Sequence, residues 1–407
     1  MIIAHLVHDT HSLLTCSLIS RSWYSAAVHD LHRTLFTQTG SRFKNKTQWP
    51  KPLRMASKFG FLPLITRVII SGGRLPHDQF SQTKFDHWTR YEFSKLTNVL
   101  ELSINYLNIP SFIPSIQEYF GQFSPTLRSL TLISAEGSGR QVAFFVGLFP
   151  HLEDVNLRTC WGRPWEMQLS DTTLVLPSVP PFVPPSIPPL GGRLTIHSGD
   201  RIAKGMVDLF GELRFRHMDL RWGGVQHLLY ACPNTLETLK LDAIDICGED
   251  HPFKGLRTPA NDFIGGSHRD LDLSRNKSLR KLQITAESLI SCFRKCTSAT
   301  IRATFKAMLS TIKSPAFSDV MVIYRRGDFH SYASKAVRLG LGDEETWYHR
   351  KFEVFRAMYE ARDYRLVLSM ECVGDNSVRE LKRAVARERA KGGLPLQIAT
   401  PYTLMAD

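Results

Sequence analysis

A short pattern of apolar residues recurs along the middle of the chain. It runs apolar, two residues, apolar, one residue, apolar, and first occurs at Ile65, Val68 and Ile70. Later copies begin at Val99, Leu127, Leu152, Gly191, Phe215, Leu236, Leu279 and Phe317, with glycine replacing the first apolar residue at position 191. Alternate side chains of a β-strand point to opposite faces. The pattern therefore predicts nine short strands whose last two apolar side chains face a core.

The residues before, between and after those two apolar positions support this interpretation. Only 4 of these 27 residues are apolar, although 43% of the whole chain is hydrophobic. We therefore expect one face of the strands to be polar and to bind a partner. The candidate partner-binding residues on this face are Arg158, Arg193, His217, Asp219, Arg221, Lys240, Asp242 and Lys281. Charges of both signs along it favour a protein surface over a nucleic acid.

The spacing of the copies predicts how the strands are connected. Four of the eight spacings lie between 21 and 28 residues, within the range of leucine-rich repeats. Parallel strands need a crossover, which is usually helical, and the segments 113–123, 139–149, 202–210 and 287–296 have helical patterns. We expect an α/β solenoid over residues 63–325, with parallel strands on its concave face and helices on its convex face.

The pattern changes after the last copy. Trp347, Phe352, Phe355 and Met358 have helical spacing, residues 364–373 alternate like a strand, and residues 377–391 form a basic helix. An open end of a repeat array would expose apolar core. We therefore expect residues 340–407 to form a C-terminal α+β cap.

Two segments differ in composition from the repeats. The net charge of +13 is concentrated early, because no acidic residue lies between Leu31 and His77. Such a run can bind phosphates, but no nucleic-acid motif accompanies it, which favours a solvated basic linker and helix over 39–62. Seven prolines at 177–189 predict a surface loop over 177–190, or a ligand for a proline-reading domain.

Motifs for catalysis and metal binding are incomplete. His5, His8 and His11 lack further ligands, Cys292 and Cys296 lack a second pair, and the glycine-rich GSGR at 137–140 lacks the lysine of a phosphate loop. We expect no enzyme activity, no cofactor and no metal. The seven cysteines are scattered, and no apolar run has the length of a membrane span. These features predict a cytoplasmic or nuclear protein.

The start of the chain resembles a known family. Residues 6–36, LVHDTHSLLTCSLISRSWYSAAVHDLHRTLF, are similar to the F-box, a small helical module that would here cover residues 1–38. LGGRLTIHSGD, FRHMDLRWGGVQHLLYACPNTLETLKL, RDLDLSRNKSLRKLQITAESL and DYRLVLSMEC resemble the divergent leucine-rich-repeat half of fungal F-box proteins. The resemblance implies a helical hairpin whose last helix reaches Phe36, followed by the repeats.

This resemblance also implies a function. F-box hairpins dock on a Skp-type adaptor of a cullin–RING ubiquitin ligase, and the repeats hold a protein substrate for ubiquitin-dependent degradation. The positions that match the adaptor-binding residues are Leu6, Leu13, Leu14, Leu18, Ile19 and Trp23. The family's first helix begins Leu-Pro-x-Glu, whereas this chain starts near the end of that helix. We therefore expect an F-box that is truncated at its N-terminus, by a late start codon or by decay.

Two alternatives to the ligase subunit follow from the residues. A repeat scaffold with a decayed F-box would bind partners on the polar face but no adaptor. A nucleic-acid binder would use the basic stretch 31–77 and would bind in a salt-dependent way.

Overall fold

The chain divides into two compact units. The structure, a computed structural model, describes residues 15, 18, 23, 24, 27, 33–38, 51–72, 91, 93–112, 116–158, 160, 192–197, 200–221, 225–242, 271–285, 307–325, 365–371, 386, 387, 390 and 397–399. The N-terminal unit contains residues 1–190 with 208–210, and the C-terminal unit contains residues 191–207 and 211–407. The boundary at 190/191 coincides with the end of the proline-rich segment.

The N-terminal unit contains five short strands. They are β1 (Thr34–Gln38), β2 (Arg67–Ser71), β3 (Glu101–Asn105), β4 (Ser129–Ile133) and β5 (Asp154–Arg158). Each strand pairs in parallel with the next strand along the chain, without a shift between equivalent positions.

The C-terminal unit continues the same strand pattern. Its strands are β6 (Arg193–His197), β7 (His217–Arg221), β8 (Thr238–Asp242), β9 (Lys281–Thr285), β10 (Asp319–Arg325), β11 (Arg365–Glu371) and β12 (Gln397–Ala399). Each again pairs in parallel with the next. Both units are therefore α/β with parallel strands in chain order.

All nine strands predicted from the apolar pattern are confirmed. In each of them the last two apolar residues of the copy lie inside the strand, and those whose side chains are described are buried; Val68 and Ile70 in β2 are examples. The opposite side chains are half-buried or exposed wherever they are described, except Thr195 and Met321, which are buried. The two-residue period of the sequence thus sets which face is buried.

The structure corrects the expectation at both ends of the repeats. The prediction of a helix that reaches Phe36 is wrong, because residues 34–38 form the strand β1. Leu35 and Thr37 of this strand are buried, and Phe36 is 52% exposed. The strand expected near 364–373 is confirmed as β11, but it pairs in parallel with β10. The sheet therefore extends into the segment that we expected to cap it.

Helices lie between the strands. They span Lys51–Lys58, Ile116–Phe120, Gly139–Gly147, Asp200–Phe210 and Val225–Ala231, and residues 307–311 are also helical. Three-residue 3-10 turns occur at Leu62–Leu64, Ile109–Ser111 and Gly121–Phe123. The predicted helices at 113–123, 139–149 and 202–210 are confirmed within a few residues, and 287–296 lies outside the described residues. No helix in the described part of the chain has the length and hydropathy needed to cross a membrane.

Aromatic rings pack the core of the N-terminal unit. Phe120 is fully buried and makes edge-to-face contacts with Phe93, Phe112 and Phe145, with ring centroids 6.5, 5.4 and 5.0 Å apart. Phe123 extends this cluster towards Phe93 at 5.2 Å. Edge-to-face ring pairs stabilise a core by more than the burial of their apolar area alone. Here they connect helix Ile116–Phe120 to Phe93, to Phe112 and to helix Gly139–Gly147.

Backbone hydrogen bonds align the starts of most neighbouring strands. The carbonyl oxygen of Thr66 accepts from the amides of Leu100 and Glu101 at 2.7 and 3.0 Å. The same arrangement, in which one carbonyl accepts from two successive amides of the next repeat, recurs at Arg33, Leu100, Arg128, Gly192, Arg216, Glu237 and Arg280. A carbonyl oxygen has two lone pairs, so this bond pattern aligns the starts of neighbouring strands within β1–β5 and within β6–β10.

Candidate binding surface on the polar face of the strands

The candidate surface of the C-terminal unit is the polar face of β6–β9, meaning the side opposite the buried residues. The register places side chains in rows that run across the strands. The first row, at the strand starts, contains Arg193, His217, Thr238 and Lys281. The second row contains Thr195, Asp219, Lys240 and Gln283. Equivalent positions of successive repeats therefore become neighbours in space.

A ladder of polar side chains, His197, Asp219 and Lys240, joins three strands of this face. The Asp219 carboxylate lies 3.2 Å from Nε2 of His197 and 3.3 Å from Nζ of Lys240. The His197, Asp219 and Lys240 side chains are only 14%, 20% and 18% exposed. Partial burial strengthens such contacts relative to exposed ion pairs. The ladder holds the middle of the face in one geometry.

The cations of the first row have fewer ion-pair partners than the side chains of the ladder. Among the described residues, Arg193 and Lys281 have no ion-pair partner, whereas Arg216, directly before β7, lies 3.9 Å from Glu237. Burial and the charge of Arg193 lower the pKa of His217 below its ordinary value, and Glu237 acts in the opposite direction. The strand starts therefore form a positively charged part of the surface.

The eight residues predicted to bind a partner are only partly brought together. Arg193, His217, Asp219, Lys240 and Lys281 share the polar face of the C-terminal unit. Arg158 belongs to the N-terminal unit, where its Nε donates to Asn156 Oδ1 at 3.0 Å. Arg221 and Asp242 occupy the last positions of β7 and β8, and their side chains are outside the described part.

Sequence reasoning missed several members of this surface. His197 has the same alternation signal as its neighbours but was not among the candidates. Arg216 and Glu237 come directly before their strands, between the first apolar residue of the copy and the strand. Their position immediately before each strand start is the signal that could have identified them.

Two arginines of the basic stretch 31–77 pair with side chains of the N-terminal unit. Glu101 Oε2 lies 3.2 Å from Nε of Arg67, and Glu101 Oε1 lies 4.0 Å from Arg33. Arg33 also donates from Nε to the Thr66 hydroxyl at 2.9 Å. Two cations of this stretch therefore join neighbouring strands, which weakens the argument for a continuous phosphate-binding patch.

The predicted adaptor-binding residues fall mostly outside the described residues. Leu6, Leu13, Leu14 and Ile19 are in this group. Leu18 is helical and 86% exposed, and Trp23 is helical, half-buried and in contact with other residues of the chain. Leu18 is therefore accessible to a partner.

Other candidate motifs have structural explanations or cannot be described. In GSGR, Ser138 caps helix Gly139–Gly147: its Oγ accepts from Gln141 N and its amide donates to Gln141 Oε1. Burial raises the pKa of the Cys232 thiol to about 12, which makes this thiol a poor nucleophile. No group of three metal-binding side chains occurs among the described residues. His5, His8, His11, Cys292, Cys296 and the proline-rich loop 177–190 lie outside them.

Comparison with known proteins leaves function to be inferred from the residues. No protein-family model matches the chain, and no curated protein matches its sequence. The polar face of the strands and the exposed Leu18 are therefore the features on which a functional proposal depends.

Proposed function

We propose that this chain is the non-catalytic substrate-recognition subunit of a Skp–cullin–F-box ubiquitin ligase. The helical residues before β1 would dock on a Skp-type adaptor, and the polar faces of the strands would hold a protein substrate. The observation that carries the proposal is the row-by-row alignment of half-buried polar side chains on parallel strands, with both charges present. Mixed charges in a fixed geometry favour specific recognition of a protein surface.

This function requires no bond chemistry from the chain itself. A receptor subunit brings lysines of the substrate close to the ubiquitin carrier and so raises their effective concentration. The Asp219 carboxylate is held between His197 and Lys240. Such a ladder can orient a bound partner.

The proposal includes a leucine-rich-repeat solenoid over residues 63–325. It is supported by the buried apolar residue that precedes the strand in seven of the nine copies, such as Ile65, Val99 and Leu127, and by the repeated double acceptance at the strand starts. Each repeat would then contact mainly its neighbours and present one strand to the binding face.

Co-purification of the full chain with a Skp-type adaptor tests the adaptor side. Leu18 is exposed, so Leu18→Asp should leave the fold unchanged while adding a charge to an apolar docking surface. We expect capture of the adaptor to fall at least about tenfold, the cost of desolvating an unpaired charge at an interface. His227→Asp, at an exposed helical position outside the docking segment, is the matched control and should retain capture.

A second candidate is a repeat scaffold whose F-box no longer binds the adaptor. Trp23 favours it, because this side chain is half-buried and contacts its own chain. The scaffold predicts that the wild-type chain fails to capture the adaptor while partners still bind the polar face. That result would overturn the ligase proposal.

A further inference from the structure

We propose that the strand starts of β6–β9 bind an acidic segment of a protein partner in extended conformation. This inference rests on the proposed function and names the class of substrate sequence that the polar face would recognise. The binding residues would be Arg193 and Lys281, with His217 and Thr238 between them.

Charge compensation separates this row from the second row of the same face. The carboxylate of Asp219 is balanced within its own row by Lys240, and Glu101 of the N-terminal unit is balanced by Arg67. Arg193 and Lys281 have no such partner among the described residues; Arg193 is exposed and Lys281 is half-buried. Uncompensated cations on a rigid sheet attract carboxylates, which can pair with arginine through two hydrogen bonds.

The register sets the spacing of those cations. Arg193, His217, Thr238 and Lys281 occupy equivalent positions on four successive strands. Neighbouring strands lie about 4.8 Å apart, so Arg193 and Lys281 start about 14 Å apart at their backbones. An extended peptide advances about 3.3 Å per residue. Two acidic side chains about four residues apart would therefore match this row.

Fixed negative charges near the row favour a peptide over a nucleic acid. Asp319 lies opposite Lys281 on β10, and Glu237 directly precedes Thr238. A nucleic acid carries closely spaced, continuous negative charge and would meet both carboxylates. A peptide with separated acidic residues can place its charges on the cations and its neutral residues beside Glu237 and Asp319.

Fluorescence anisotropy with the full chain tests this inference. The probe is a labelled Gly/Ser peptide that carries two Glu-Glu pairs four residues apart, and the same peptide with Gln in place of Glu is its control. We expect the acidic peptide to bind more tightly. The double variant Arg193→Glu/Lys281→Glu should weaken its binding about tenfold or more, since two attractive contacts become repulsive. Raising the ionic strength from about 0.1 M to about 1 M should also weaken it, because charges are then screened beyond about 3 Å.

Matched variants separate this result from changes in total charge. Lys204→Glu/Lys313→Glu reverses two exposed lysines outside the strands and should leave peptide binding unchanged. Circular dichroism checks that both double variants keep the wild-type fold. Equal binding of the Glu and Gln peptides, equal loss in both double variants, or tighter binding of a single-stranded oligonucleotide of the same length would each overturn the inference.

Adaptor capture distinguishes failure of this inference from failure of the proposed function. Arg193→Glu/Lys281→Glu should capture the adaptor as the wild type does. Capture without binding of the acidic peptide would overturn the inference alone. Peptide binding without capture would overturn the ligase subunit and leave the acidic-segment site supported.

Discussion

At the residue scale, Phe120 is the side chain on which the aromatic core of the N-terminal unit depends most. It is fully buried and contacts three other rings. We expect Phe120→Ala to lower the free energy of unfolding by about 3–5 kcal/mol, since it removes a buried ring and leaves a cavity. Denaturant unfolding of the full chain measures the change.

Phe36→Ala is the control for this substitution. Phe36 is 52% exposed on the polar side of β1, so its truncation should cost less than about 1 kcal/mol. Equal destabilisation by the two substitutions would contradict the assignment of Phe120 to the core.

His217 gives the C-terminal unit a pH-dependent contribution to stability. Burial and Arg193 lower its pKa in the folded chain, so the unfolded chain binds more protons between the folded value and about 6.5. Stability therefore falls as the pH drops below about 6.5. We expect His217→Gln to reduce this loss, as measured by denaturant unfolding between about pH 5 and about pH 8. An unchanged pH dependence would show that other groups cause it.

At the element scale, the start of helix Gly139–Gly147 depends on a pair of reciprocal hydrogen bonds. Gln141 N donates to Ser138 Oγ at 3.3 Å, and Ser138 N donates to Gln141 Oε1 at 2.8 Å. We expect Ser138→Ala to destabilise the chain by about 0.5–2 kcal/mol, because the first turn of the helix loses its side-chain acceptor. Thermal unfolding measures this cost, and Ser138→Asn should restore most of the stability because asparagine also accepts at this position.

The strands could be predicted from sequence because their alternation is strict and their core residues are apolar. β1 was missed since its second core position is Thr37, whose buried hydroxyl oxygen has no hydrogen-bond partner in the described residues. An apolar pattern cannot identify a strand that buries a threonine. β12 is only three residues long, too short for a periodic signal.

The sequence predicts which residues of the candidate surface share a row across the strands. It does not predict which of their side chains are in contact. Alignment of the apolar copies places Asp219 and Lys240 at the same position of successive strands, so sequence predicts that they are neighbours once the strands are parallel. The contact of His197 with Asp219 is diagonal, two positions out of row, and depends on side-chain conformations that the sequence does not fix. That Arg193 and Lys281 have no ion-pair partner among the described residues depends on the same conformations.

At the scale of the whole molecule, the parallel strands of each unit pair only with their sequence neighbours among the described residues. The free energy of unfolding of such an arrangement is close to a sum of the stabilities of the single repeats and of the interfaces between neighbouring repeats. A binding face built this way can change one row without refolding the others. That property suits the recognition of a varied protein partner.

The same arrangement predicts how damage to one repeat spreads. Leu130 is fully buried in β4, opposite Leu102 of β3 and Val155 of β5. We expect Leu130→Ala to remove about 2–5 kcal/mol of local packing and to accelerate amide hydrogen exchange in β3, β4 and β5. Exchange in β9 and β10, which lie in the other unit, should change little, because local opening reports local stability. Thr131→Ala, on the half-buried polar side of the same strand, should leave all five strands protected. Equal acceleration in β4 and β10 after Leu130→Ala would mean that the chain unfolds as one cooperative body, and the description of stability by neighbouring repeats would then be wrong.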